Sequence, residues 1–158
     1  MQTLRILFLL LFSTILVSGC TTNKKNETIQ IDIPNAEQYT VLYIQSVDTN
    51  GVSSETTSKY ITGEKEIKSF IKKINKMEVV KPSKNEIKNK VKELNNQGNY
   101  TFVLSDSKTM DNTVYNMNFF KDGSIQFQST DKNEIIYLSE EKHPEVIEEL
   151  KNTFKITF

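Results

Sequence analysis

Thr113-Val114-Tyr115-Asn116-Met117-Asn118-Phe119-Phe120-Lys121-Asp122-Gly123-Ser124-Ile125-Gln126-Phe127-Gln128 is the stretch whose reading decides the fold. Apolar and polar residues alternate on both sides of an Asp-Gly pair, the pattern of two half-buried strands joined by a hairpin turn. Tyr115, Met117 and Phe119 share one face of the first strand, with Asn116 and Asn118 on the other. In the second strand Ile125 and Phe127 lie opposite to Ser124, Gln126 and Gln128. A two-residue loop at Asp122-Gly123 would pair Phe119 with Gln126 and Met117 with Gln128, burying glutamines. A three-residue loop, Lys121-Asp122-Gly123, pairs Phe119 with Ile125 and Met117 with Phe127. A slip of one residue turns every side chain to the other face. Burial therefore selects the three-residue loop, with Gly123 left-handed in a G1 bulge. The asparagine- and glutamine-bearing face is then wet, which fits an antiparallel sheet covered on one side.

Further strands flank this hairpin. Tyr100 to Leu104 precedes it and Glu134 to Leu138 follows it, both rich in β-branched and aromatic residues. Near the start, Ile29-Gln30-Ile31-Asp32-Ile33 alternates strictly until Pro34, which predicts a short strand. Tyr39 to Val47 predicts a longer one, Asp48-Thr49-Asn50-Gly51 a turn, and Thr56 to Ile61 a return strand.

Between 63 and 77 the period changes. Ile67, Phe70, Ile71 and Ile74 recur at helical spacing, with lysines on the opposite side. Glu64 and Glu66 suit the positive end of that helix dipole, and Lys72, Lys73 and Lys76 the negative end. A narrow stripe of this kind packs on a core rather than on a membrane surface. Ser83-Lys84-Asn85-Glu86 fits a capping box, and Ile87, Val91 and Leu94 extend a sparser helix to about Asn95. Pro144 opens a last helix with Val146, Ile147, Leu150 and Phe154 on one side. The mixed order of elements predicts an α+β domain over 29–158, an antiparallel β-sheet with two or three helices packed on one face. No internal repeat is evident.

The amino terminus has a different character. Met1-Gln2-Thr3-Leu4-Arg5 leads into Ile6 to Val17, an apolar run broken only by Ser13 and Thr14. A basic start, an apolar stretch of this length and a small-residue exit form a secretory signal, shorter than the ~20 residues of a membrane-spanning helix. Its exit, Val17-Ser18-Gly19-Cys20, resembles the lipobox of bacterial lipoproteins, with Val17 at the position more often held by Leu. The resemblance implies a signal peptide over 1–19, cleavage before Cys20 and acylation of Cys20, palmitate included. Residues 20–28 then form a flexible polar tether to the cell membrane, with the domain on its extracytoplasmic face. Two or more acyl chains give stable anchoring where one gives marginal binding.

Composition removes several chemistries. The signal contains Arg5, the only arginine, and the remaining charge is close to balanced against 20 acidic residues. Nothing here attracts nucleic acid, and no guanidinium is left for bidentate phosphate contacts. With Cys20 acylated, neither disulfide nor thiol chemistry is open to the domain. Five glycines include no phosphate-binding loop.

The remaining candidates are weighed in the same way. His143, the only histidine, precedes Pro144 and reads as a capping or surface residue, since no nucleophile or orienting acid is marked for it. Asp48 to Gly51 with Glu55 has part of a calcium-loop composition, but its glycine arrives too early and Asn-Gly is a turn signal. Asp106, Asp111 and Asp122 are loop carboxylates that could meet around a cation, a meeting their spacing does not establish. Glu140-Glu141 and Glu148-Glu149 read as solvated faces rather than acid–base pairs. Tyr39, Tyr43, Tyr60, Tyr100, Tyr115, Phe119 and Phe127 are core candidates, or the lining of a ligand groove. No catalytic residue, cofactor or metal site is assigned.

The C-terminal stretch "VYNMNFFKDGSIQFQ…EIIYLSEEKHPEVIEELKN" resembles small Gram-positive lipoproteins, the YhfM-like group among them, in its strand, Asp-Gly turn, strand, Tyr-bearing strand and final helix. It implies an α+β domain outside the membrane without an assigned activity. The expected function is a membrane-anchored, non-catalytic domain that binds a protein or wall-polymer partner. The alternatives are a wall-polymer enzyme using loop carboxylates and a small-ligand or peptide binder.

Overall fold

Met117 faces Phe127 and Phe119 faces Ile125, the register that burial requires. The Phe120 N–H donates to the Ser124 carbonyl at 2.9 Å, and Gly123 has φ 91°, so the three-residue loop forms with its glycine left-handed. The computed structural model describes residues 27–129 and 136–158. Cys20, the signal and most of the tether lie outside the described residues, as do Glu134 and Ile135 of the predicted late strand.

Among the described residues one antiparallel sheet contains β1 (Ile29–Gln30), β2 (Val41–Gln45), β3 (Ser58–Ile61), β4 (Glu78–Val80), β5 (Tyr100–Ser105), β6 (Val114–Phe119), β7 (Ile125–Gln128) and β8 (Ile136–Ser139). Their order across the sheet is β1-β4-β8-β7-β6-β5-β2-β3. Three helices accompany it: α1 (Glu64–Ile74), α2 (Lys84–Glu93) and α3 (Pro144–Phe154). The α+β class is as expected.

α1 and α3 cover one face. α1 buries Ile67, Phe70, Ile71 and Ile74, and α3 buries Val146, Ile147, Leu150 and Phe154. Phe70 joins both helices to the sheet, with ring centroids 5.4 Å from Phe102, 6.2 Å from Phe119 and 6.0 Å from Phe154. Tyr39, Tyr100, Tyr115, Phe119 and Phe127 belong to this core.

Three local outcomes differ from expectation. The 29–33 strand pairs only through Ile29 and Gln30, yet Ile31 and Ile33 still enter the core. Ile31 instead exchanges backbone hydrogen bonds with Met77 and Lys76, and the Ile33 N–H donates to Asn75 Oδ1 at 2.9 Å. α1 stops at Ile74 because Lys76 turns left-handed at φ 67° and redirects the chain. That redirection creates β4, which the sequence reading did not anticipate: three residues before Pro82 are too few to show a period. β4 is real as a pairing unit, with Val79 opposite Ser139 and Val80 opposite Leu138.

α2 has its predicted capping box, Ser83 Oγ accepting from the Glu86 N–H and Glu86 accepting from the Ser83 N–H. Its apolar stripe does not enter the core; no α2 residue is buried and Val91 is exposed. What holds α2 is polar. Lys90 Nζ lies 4.6 Å from the centroid of the fully buried Phe120 ring and contacts Asp122 at 3.1 Å and Glu93 at 2.9 Å. Phe120 is opposite in parity to Phe119, so α2 reaches the hairpin from the face that α1 and α3 leave free.

Candidate functional site

Two long cross-strand rows of that second face run from β3 to β8. The first runs Tyr60, Tyr43, Val103, Asn116, Gln128, Ile136 from β3 to β8. The second runs Ser58, Gln45, Thr101, Asn118, Gln126, Leu138. Alternation in each strand forces this outcome once the apolar partners face the core. Neither row contains a charged residue, although charged residues make up 25% of the chain.

The amides form a ladder. Thr101 Oγ1 donates to Asn118 Oδ1 at 3.0 Å, and Asn118 Nδ2 donates to Gln126 Oε1 at 2.8 Å. Gln128 Oε1 accepts from both the Asn116 N–H and Asn116 Nδ2, each at 2.9 Å. Tyr43 and Tyr60 pack 4.7 Å apart between centroids, and Gln45 Nε2 donates to the Tyr43 hydroxyl at 3.0 Å. A cavity of about 310 Å³ opens among Asn116, Asn118, Gln126, Gln128, Ser129 and Ile136. Gln126 is 2% exposed, and its Nε2 has no hydrogen-bond partner among the described residues. A buried donor left unpaired costs about 1–3 kcal/mol, so an acceptor delivered there gains most of that back.

The sequence candidates distribute elsewhere. Asp106 and Asp111 belong to the loop before β6 and Asp122 to the turn after it, at opposite ends of one strand, so the three do not meet around a cation. Among the described residues no group of three or more His, Cys, Asp or Glu stands close enough to hold a metal ion. Asp48 Oδ1 accepts from the N–H groups of Asn50 at 2.8 Å and Val52 at 2.9 Å, closing a turn with Gly51 at φ 76°. The Val52 and Asn50 N–H groups hold the Asp48 carboxyl below its usual range. His143 Nδ1 lies 3.4 Å from Glu145, and its side chain does not cap α3. Glu148 pairs with Lys151 and Glu149 with Lys73. The tyrosines split: Tyr39, Tyr100 and Tyr115 are core, whereas Tyr43 and Tyr60 lie on the second face and do not share a groove with them.

Asp122 has the most organised carboxyl environment. Partial burial works against its charge, but hydrogen bonds from the Ser124 hydroxyl, Lys142, the Ser124 N–H and Lys90 outweigh that and hold the carboxyl well below its usual range. Its folded value is thus below the unfolded one near ~3.9. The stabilisation is present in full above that value and is lost as pH falls from about 5 toward the folded value. Asp122→Asn should therefore flatten the acid side of the stability–pH profile, measured as the urea midpoint from pH 6 down to 2. An unchanged acid slope would refute the assignment.

Two residues of this region carried no sequence signal. Asn99 accepts from the Lys121 N–H at 2.7 Å and donates to the carbonyls of Glu93 and Asn96, tying the hairpin loop to the end of α2. Lys90 is one of four lysines, with Lys84, Lys88 and Lys92, on a helix whose apolar stripe is sparse. Among the described residues no helix is long and apolar enough to cross a membrane. No protein family, curated protein or solved structure matches the chain.

Proposed function

We propose that the chain is a membrane lipoprotein, an extracytoplasmic α+β domain tethered by lipid on Cys20 that binds an envelope partner or ligand without catalysing a reaction. The observation that carries the anchor is the Ile6–Val17 apolar run ending in Val17-Ser18-Gly19-Cys20. The binding part draws on the two uncharged rows of the second face and the cavity beside them. Hydrolysis of wall polymers needs a carboxylic acid with a raised pKa beside a second carboxylate. Asp122 is shifted the opposite way and is engaged by two lysines, which favours the non-catalytic reading.

The test is metabolic labelling with a palmitate analogue followed by membrane fractionation. The wild-type chain should incorporate label and sediment with membranes, and Cys20→Ala should lose both. A Cys20→Ala chain that still carries lipid and stays membrane-bound would refute the anchor.

A further inference from the structure

We infer that the second face binds a neutral glycan strand, with the Tyr43–Tyr60 pair as a stacking platform and the amide rows as hydrogen-bond partners. The inference rests on the binding part of the proposed function and names its ligand class.

Charge selects the occupant. Neither row offers a charged group to an anionic or cationic polymer. A purely apolar surface seated on the ladder would strand amides that both donate and accept. A neutral sugar chain matches both kinds of group. Its hydroxyls donate and accept as amides do, and its C–H faces pack on aromatic rings. Tyr60 is 47% exposed on the edge strand β3, so a ring is available where a long ligand would enter. At the far end, Gln126 lines the cavity with a buried Nε2, unpartnered among the described residues, that lacks only an acceptor. From β3 to β8 the face spans five interstrand steps, about 24 Å at ~4.8 Å each, room for several sugar rings in line.

The experiment uses the full chain in a sugar-free zwitterionic detergent. Chitotetraose and cellotetraose are titrated while the side-chain amide signals of Asn116, Asn118, Gln126 and Gln128 are followed by NMR. Saturable shifts confined to this face are expected with at least one of the two, at a Kd in the millimolar range or tighter. Tyr60→Ala, at an exposed position, should weaken binding about tenfold with the rest of the spectrum unchanged. Asn116→Asp, nearly isosteric but charged, should weaken it as well. Absence of saturable shifts with both sugars would overturn the inference. So would shifts that survive both substitutions, an equal response to tetragalacturonate, or shifts that follow protein concentration without sugar and so report self-association. Cys20→Ala should bind with unchanged affinity. Lost glycan binding with intact palmitate labelling therefore defeats the ligand class alone, and the converse defeats the anchor alone.

Discussion

Gly123→Ala is expected to lower the unfolding free energy by about 3–4 kcal/mol, a large share of the ~5–15 kcal/mol a domain of this size possesses. Two causes act together. The φ of 91° is a conformation that a residue with a side chain adopts only under strain. The space is also occupied: a Cβ at this position would stand 2.7 Å from Pro144 Cδ, 2.8 Å from Pro144 N and 3.0 Å from His143 N. Those atoms are a proline ring and backbone at the start of α3, so no flexible side chain can yield. The His143 N–H also donates to the Gly123 carbonyl at 2.7 Å, and Lys142 pairs with Asp122 at 3.0 Å. Relieving the clash means moving the helix off the hairpin and losing both contacts. Gly51→Ala is the control: its φ is 76°, but the nearest atom to its Cβ is the Asn95 carbonyl oxygen at 3.1 Å. It should cost roughly 1–2 kcal/mol, mostly from backbone strain. Urea denaturation of both variants decides the matter. A Gly123→Ala loss no larger than that of Gly51→Ala would show that the helix yields easily.

Phe70→Ala should cost about 3–5 kcal/mol, the range for removing a buried aromatic ring and leaving a cavity. Phe70 is 2% exposed and contacts three other phenylalanine rings, one on each of β5, β6 and α3. Its removal therefore loosens α1, α3 and the sheet at once, and the cavity is walled by stiff strands that cannot collapse into it. Phe70→Leu retains most of the volume and should lose clearly less, about 1–2 kcal/mol. Equal losses for the two variants in thermal and urea unfolding would contradict this packing account.

Legibility in the sequence followed the range of the interactions involved. The β6–β7 register was readable because alternation and turn chemistry agreed over sixteen consecutive residues from Thr113 to Gln128. The α1 core positions were readable because four apolar residues recurred at helical spacing. β4 was not, since its existence depends on Asn75 and Lys76 being captured by the returning 31–33 segment. The placement of α2 was not either. Its local capping box was correctly read, but its seat depends on Lys90 finding Phe120 and Asp122 thirty residues later. For the candidate site, the amide-bearing face was predicted as wet. Its union with Tyr43 and Tyr60 into continuous uncharged rows was invisible, because strands distant in sequence become neighbours only through the sheet order.

The sequence by itself determined which residues of the hairpin, α1 and α3 face the core and where the hairpin turns, and it ends its apolar amino-terminal run in Val17-Ser18-Gly19-Cys20, which resembles a lipobox. These are local properties, written in periods of two and 3.6 and in a motif of four residues. Tertiary structure decided that Gly123 must lack a side chain for a second reason, the seat of Pro144, and that Asp122 clamps Lys90, Lys142 and Ser124 together. It also decided that the amides of β6 and β7 share a face with the tyrosines of β2 and β3. Each of these depends on groups brought together across long loops, and no periodicity in a chain encodes which strand will lie beside which.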